Sequence, residues 1–203
     1  LMPIPKRTRV THHIRDIVNI YSSIEREILT KTGLHLMDVY IWNRANPTKR
    51  LMFGSYPYPP NFYAQNTIEF IGVFVKDGEP DRKPPHIKEA SKLTEAEWVE
   101  FTKQVWTIQI PNQSDEAYGL HPAIMPLELA ERLIRLFSFV DDVVLDPFMG
   151  SGTTARAARK WGRHYIGYEI DPSFKPVIER KLAQPTLFDR DLQEYCLHSH
   201  KAG

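Results

Sequence analysis

Two stretches of the chain carry residue types suited to a charged ligand containing a ribose. The first, Val144-Leu145-Asp146-Pro147-Phe148-Met149-Gly150-Ser151-Gly152-Thr153-Thr154-Ala155, passes from a buried strand through a glycine turn into a helix. Glycines at such a turn let a ligand approach the main chain, and the helix N-terminus presents free amides. The second is Glu169, which ends the next strand 19 residues after Gly150. A carboxylate there can accept hydrogen bonds from both ribose hydroxyls. Loop and acid together indicate an adenosine-containing cofactor.

Taken alone, Gly150-x-Gly152-x-x-Ala155 also fits the dinucleotide pattern, so the glycines leave a nicotinamide cofactor and S-adenosylmethionine both open. Asp146 helps to separate them, because a carboxylate at the strand tip repels a pyrophosphate and attracts an ammonium or sulfonium charge. Phe148 adds an apolar π surface that favours a cation. A turn whose glycines serve packing, with Asp146 as a helix cap, is the purely structural alternative.

The elements that must hold these residues follow from periodicity. Residues 126–139 have helical spacing, with Ala130, Leu133, Ile134 and Phe137 on one face. Residues 143–145 read as a strand, 153–161 as a helix stopped by Gly162, and 165–170 as a second strand. Asp171-Pro172 opens a last helix towards Leu182, in which Pro176 costs a backbone bond unless the helix begins after Pro172. Strand, helix, strand, helix implies parallel pairing in an α/β sheet. Upstream, residues 13–31 form an amphipathic pattern ended by Gly33. Residues 36–42 and 68–75 are strand-like and pair across a proline-rich loop at 47–60. Between 76 and 106 the composition turns polar, with Pro80, Pro84 and Pro85 breaking regular structure, as in an insertion. Within it, Thr94-Glu95-Ala96-Glu97 has capping-box spacing, with Leu93 and Trp98 at the staple positions, predicting a helix from about 95 towards Val105.

Composition sets outer limits. The 203 residues are 42% hydrophobic and 25% charged, which suits one globular domain and excludes a disordered tail or a fibre. With 26 Lys plus Arg against 25 Asp plus Glu, bulk charge argues neither for nor against nucleic acid. No apolar run reaches the roughly 18 residues that span a bilayer, and no signal-type block follows the start, so a soluble, cytoplasmic protein is expected. The lone Cys196 excludes an intrachain disulfide and a thiolate zinc cluster. The sequence has 16 Pro against 10 Gly, and twelve of the prolines lie at or before Pro126.

At these residues the chain resembles the adenine-N6 and cytosine-N4 DNA methyltransferases, in the group whose catalytic motif precedes the cofactor loop. "DPFMGSGTT" at 146–154 is similar to that family's cofactor motif and "YIGYEID" at 165–171 to its ribose-binding strand. "HPAIMPLELAERLI" at 121–134 resembles the His-Pro motif that precedes the loop, and "YIWNRANP" and "NTIEFIGVFVK" resemble the middle strands. The resemblance implies a three-layer αβα, Rossmann-like fold that takes S-adenosylmethionine. It also implies methyl transfer to the exocyclic amine of adenine or cytosine in double-stranded DNA, in a nucleoid-associated protein that often pairs as a homodimer. It places Asp146, Phe148, Gly150, Gly152 and Thr153 around the methionine part of the cofactor and Glu169 on the ribose, with His121, Pro122 and Ala123 on the cofactor's other side. The insertion at 77–105 stands where the family places target recognition, making Arg82, Lys83, Lys88 and Lys92 DNA-contact candidates, each of which reads otherwise as a solvated loop charge.

The family's catalytic Asp, Asn or Ser followed by Pro-Pro and an aromatic residue does not occur. The nearest string, Tyr58-Pro59-Pro60-Asn61-Phe62, has the wrong residue before the prolines and its ring one position late. No catalytic residue and no metal ligand is therefore assigned within 1–203. The expectation is that 1–203 is the C-terminal portion of a methyltransferase domain. Two strands would be missing between 67–75 and 143–148, with the catalytic motif upstream of Leu1. A nicotinamide-dependent oxidoreductase and a non-catalytic DNA-binding module on a degenerate methyltransferase fold are the alternatives.

Overall fold

The computed structural model describes residues 17–45, 58, 67–120 and 123–185. In chain order the elements are helix α1 (Ile17–Lys31), strands β1 (Leu34–Arg44) and β2 (Ile68–Lys76), helices α2 (Pro85–Ala90) and α3 (Glu95–Phe101), and strand β3 (Val105–Ile108). Helix α4 (Leu127–Phe137), strand β4 (Val143–Asp146), helix α5 (Thr153–Lys160), strand β5 (His164–Gly167), a 3-10 turn (Pro172–Phe174) and helix α6 (Lys175–Ala183) follow. One sheet has the order β2-β1-β3 and the other is the pair β4-β5. β1 runs antiparallel to β2 and parallel to β3, while β4 and β5 are parallel and joined through α5.

The first sheet is the middle of three layers. Alternation along β1 turns Tyr40 and Trp42 to one face, where they cluster with Trp106, Ile108 and Leu129. Tyr40 stacks on Trp106 with ring centroids 4.6 Å apart, and the Trp42 indole N–H donates to the Ile108 carbonyl at 2.9 Å. Helix α4 covers this face through Leu129, Leu133 and Leu136. On the opposite face, Tyr21 of α1 meets Phe70 of β2 at 4.9 Å. The same α4 sets Ala130 and Ile134 against Ala157 and Ala158 of α5, so one helix serves both sheets.

The second sheet is covered differently. Val144 packs beneath α4 and α5, whereas Val143, Leu145 and Ile166 on the other face are 58%, 60% and 49% exposed. Among the described residues β2 pairs only with β1, and β4 only with β5. No ladder joins 68–76 to 143–146 among the described residues.

Three local expectations need correction. The helix starting at 95 ends at Phe101 rather than continuing to Val105, because residues 105–108 alternate exposed and buried as β3 beside β1. Pro85 starts a helix instead of breaking one: Pro84 is extended and Pro85 takes the first helical position, where no N–H is needed. Trp98, expected to staple the N-terminus of α3, is 60% exposed. Pro176 loses no bond, since α6 begins at Lys175 and the proline falls in the first turn. The start of the helix expected at 13, the loop at 47–60 apart from Tyr58, and Cys196 lie outside the described residues.

The insertion is anchored by charge. Thr94 and Glu97 form the capping box, with the Glu97 N–H donating to Thr94 Oγ1 at 3.2 Å and the Thr94 N–H to Glu97 Oε2 at 3.0 Å. Arg135 of α4 donates to both Glu97 oxygens at 2.5 and 2.9 Å, and its guanidinium lies 3.8 Å from the centroid of the Trp161 ring. The Arg135 bonds, followed by those from Thr94, hold the Glu97 carboxyl down at about 2 against the opposing effect of burial.

Replacing Thr94 by Ala should cost about 1 kcal/mol of unfolding free energy in urea titrations, and an unchanged midpoint would contradict the capping role. Because the Glu97 pKa is depressed in the folded state, its contribution is complete above the ordinary value of 4.5 and is lost as pH falls towards about 2. Glu97→Gln should therefore flatten the fall in stability between those pH values, measured by chemical unfolding at pH 6 and pH 3. A fall as steep as in the parent protein would contradict it.

Candidate cofactor site

The ends of β4 and β5 lie side by side because Asp146 pairs with Gly167, and two further bonds extend the ladder beyond the strands. The Tyr168 N–H donates to the Asp146 carbonyl at 2.9 Å, and the Met149 N–H to the Tyr168 carbonyl at 2.8 Å. The turn after β4 is thus tied to the segment after β5. Gly150 has φ +52° and Gly152, the residue before α5, has φ +83°, a backbone that side chains with a Cβ rarely adopt. A Cβ at Gly152 would also sit 3.4 Å from Ile178 of α6.

Two carboxylates face this turn. Asp146 Oδ1 accepts the Phe148 N–H at 3.0 Å, which orients the carboxylate at the strand tip. Glu169 reaches across: its Oε2 accepts the Gly150 N–H at 2.7 Å and its Oε1 the Asp171 N–H at 2.8 Å. Asp171 in turn accepts the Ser173 N–H at 2.9 Å, and the Ser173 side chain, followed by that N–H, holds the Asp171 carboxyl below the usual range. Phe148, Tyr168 and Ile170 are 88%, 63% and 98% exposed around these acids. The result is a ledge with acidic groups, tied amides and bare apolar side chains.

The ledge can recognise a ligand that carries positive charge, ribose hydroxyls and an aromatic base. It suits a pyrophosphate poorly: the amides of Phe148, Met149, Gly150 and Gly152 already donate within the protein, the last to the Met149 carbonyl at 2.9 Å. Two carboxylates beside them repel an anion further.

Of the residues singled out from sequence, Asp146, Phe148, Gly150, Gly152 and Glu169 come together on this ledge. Thr153 opens α5 but is buried, with its hydroxyl turned inward. Ala123 is exposed and lines a cleft of about 800 Å³ with Trp42, Gly72 and Met125. His121 and Pro122 lie outside the described residues. In the insertion, the Lys83 ammonium is 2.6 Å from Asp142 and that of Lys92 is 3.2 Å from Glu89, so both are paired. Arg82 and Lys88 form no ion pair among the described residues. Sequence reasoning passed over Ile170, whose place beside Glu169 was its only signal, and Lys181. The position of Lys181, four residues after Val177 on the buried face of α6, was legible as a helical repeat. Among the described residues no helix is long and apolar enough to cross a membrane, and no group of His, Cys, Asp and Glu is arranged to hold a metal ion.

The N6/N4 DNA methylase family model matches residues 15–180. The type II methyltransferase M.MjaI of Methanocaldococcus jannaschii is 37% identical over 158 residues, covering 77% of this chain and 52% of that protein. M.MthZI of Methanothermobacter thermautotrophicus is 32% identical, with 83% and 49% covered. The chain therefore spans about half the length of these relatives. Among solved structures, the Thermus thermophilus protein TTHA0409 complexed with S-adenosyl-L-methionine superposes with a TM-score of 0.60 at 34% identity, covering 76% of this chain and 55% of that one. The cytosine-N4-specific PvuII DNA methyltransferase shares the fold, with a TM-score of 0.62 at 17% identity, over 86% of this chain and 60% of that one. Matched over most of its length by the family model and by relatives above 30% identity, the chain belongs to the N6/N4 DNA methylase family.

Proposed function

We propose that the protein is the cofactor-binding part of an S-adenosylmethionine-dependent DNA methyltransferase acting on the exocyclic amine of adenine (N6) or cytosine (N4). The observation that carries this reading is the convergence of Asp146 and Glu169 on one glycine turn whose amides are already occupied. That donor set fits a cationic, ribose-bearing ligand and disfavours the pyrophosphate of a nicotinamide dinucleotide. Asp146 faces the methionine end, where its negative charge stabilises ammonium and sulfonium. Glu169 binds the ribose hydroxyls while keeping hold of the Gly150 amide, since each carboxylate oxygen has lone pairs for more than one donor. Phe148 and Ile170 offer apolar surface to the ligand. Bound on this ledge, S-adenosylmethionine supplies an electrophilic methyl group to the amine of a base flipped out of the duplex.

The acceptor for that amine and the ring that stacks on the base come from outside 1–203, because the Pro-Pro motif is absent from the sequence. On this reading the segment carrying them supplies the two further strands of the sheet, beside the edges of β2 and β4 that have no ladder partner among the described residues. Residues 77–105 stand where duplex DNA is contacted, through Arg82 and Lys88, since Lys83 and Lys92 are committed to Asp142 and Glu89.

Binding of S-adenosylhomocysteine by calorimetry tests the site. Asp146→Ala and Glu169→Ala should each weaken it by about tenfold or more, the usual loss for a hydrogen bond to a charged group, with the Glu169 change the larger. Unchanged affinity in both variants, or tight binding of NAD alone, would overturn the assignment. For the DNA face, the full-length protein carrying Arg82→Ala and Lys88→Ala should show a salt dependence of DNA binding shallower by about 0.9 for each phosphate that is no longer neutralised. An unchanged slope would remove these residues from the interface.

A further inference from the structure

Lys181 is the most buried charged residue among those described, at 1% exposure, and the cofactor chemistry proposed above makes no use of it. Its ammonium lies 3.0 Å from Ser151 Oγ, 3.1 Å from Thr153 Oγ1 and 3.1 Å from Asp115 Oδ1. An ammonium has three protons and no acceptor capacity, so these partners satisfy it. They belong to separate stretches of chain. Ser151 and Thr153 form the end of the glycine turn and the first residue of α5. Asp115 organises the turn at 112–118: its N–H donates to the Asn112 carbonyl at 3.0 Å, its Oδ1 accepts the Ala117 N–H at 2.8 Å, and its carbonyl accepts the Tyr118 N–H at 2.9 Å. That turn leads directly into His121-Pro122-Ala123.

Helix α6 is held against both partners by further contacts. Ile178 packs where Gly152 has no side chain, the Arg159 guanidinium donates to the Leu182 carbonyl, and the Gln184 amide donates to Glu116. A buried ammonium is tolerated only when fully paired, so the cluster has little freedom to rearrange. Movement of any one partner leaves a charge or hydroxyl unsatisfied.

We propose that Lys181 is a positioning residue for the cofactor site, pinning the glycine turn and the turn at 112–118 to one ammonium and so fixing the start of α5 relative to Glu169. This rests on the cofactor reading above. Loss of the ammonium frees Ser151 and Thr153 to rotate, and the start of α5 loses its fixed relation to Glu169. The Asp115 carboxylate is left half-buried without its cation.

Two variants separate positioning from simple stabilisation, each assayed in the full-length protein for thermal unfolding and for S-adenosylhomocysteine binding well below the unfolding transition. Lys181→Met should lower the Tm and weaken binding by about tenfold or more, the equivalent of losing a charged hydrogen bond. The double variant Lys181→Met/Asp115→Asn removes the stranded charge, keeps an acceptor for the Ala117 N–H, and should recover much of the Tm while binding stays weak. Binding that returns together with the Tm, or that stays within about twofold of the parent in Lys181→Met, overturns the proposal. A parent protein that binds no S-adenosylhomocysteine overturns the cofactor reading itself and this inference with it.

Discussion

The hydrogen bond from the Gly150 amide to the Glu169 carboxylate joins the turn after one strand to the end of the next. It requires the parallel β4–β5 ladder, because only parallel strands bring both ends to the same edge of the sheet. It also requires glycines that can take positive φ, so that the turn folds back within reach of the acid. The helix that makes the strands parallel, α5, needs α4 above it, and α4 needs the aromatic face of the first sheet. A contact at the surface thereby depends on Trp106 and Tyr40 in the core.

The same interaction distinguishes this ledge from a phosphate-binding turn of similar sequence. A dinucleotide turn keeps its amides available for an anion. Here a carboxylate occupies the amide at Gly150 and a second carboxylate stands at Asp146, so the local field favours a cation. Among the described residues, β2 and β4 each keep one edge without a ladder partner.

Most of the elements around the site were legible in the sequence because each carries a local signal. Gly150 and Gly152 mark the turn, Glu169 ends a short apolar run, and the Thr94 and Glu97 pair announces α3. What escaped detection depends on partners distant in sequence. Strand β3 is four residues long and exists by pairing with β1, more than sixty positions earlier, so its apolar residues read as a continuing helix. Helix α2 was hidden by prolines that serve equally as starts and as breaks. The helical repeat from Val177 puts Lys181 on a buried face, but its partners Asp115, Ser151 and Thr153 come together only in the fold.

If the glycine turn and Glu169 act as one unit in ligand recognition, amide-resolved NMR of the protein titrated with S-adenosylhomocysteine will show them responding together. The largest shifts should fall together on Gly150, Gly152, Glu169 and Ile170, while the amides of β1 and β2 stay in place. Shifts concentrated on β1 and β2 with Gly150 and Glu169 unmoved would contradict it.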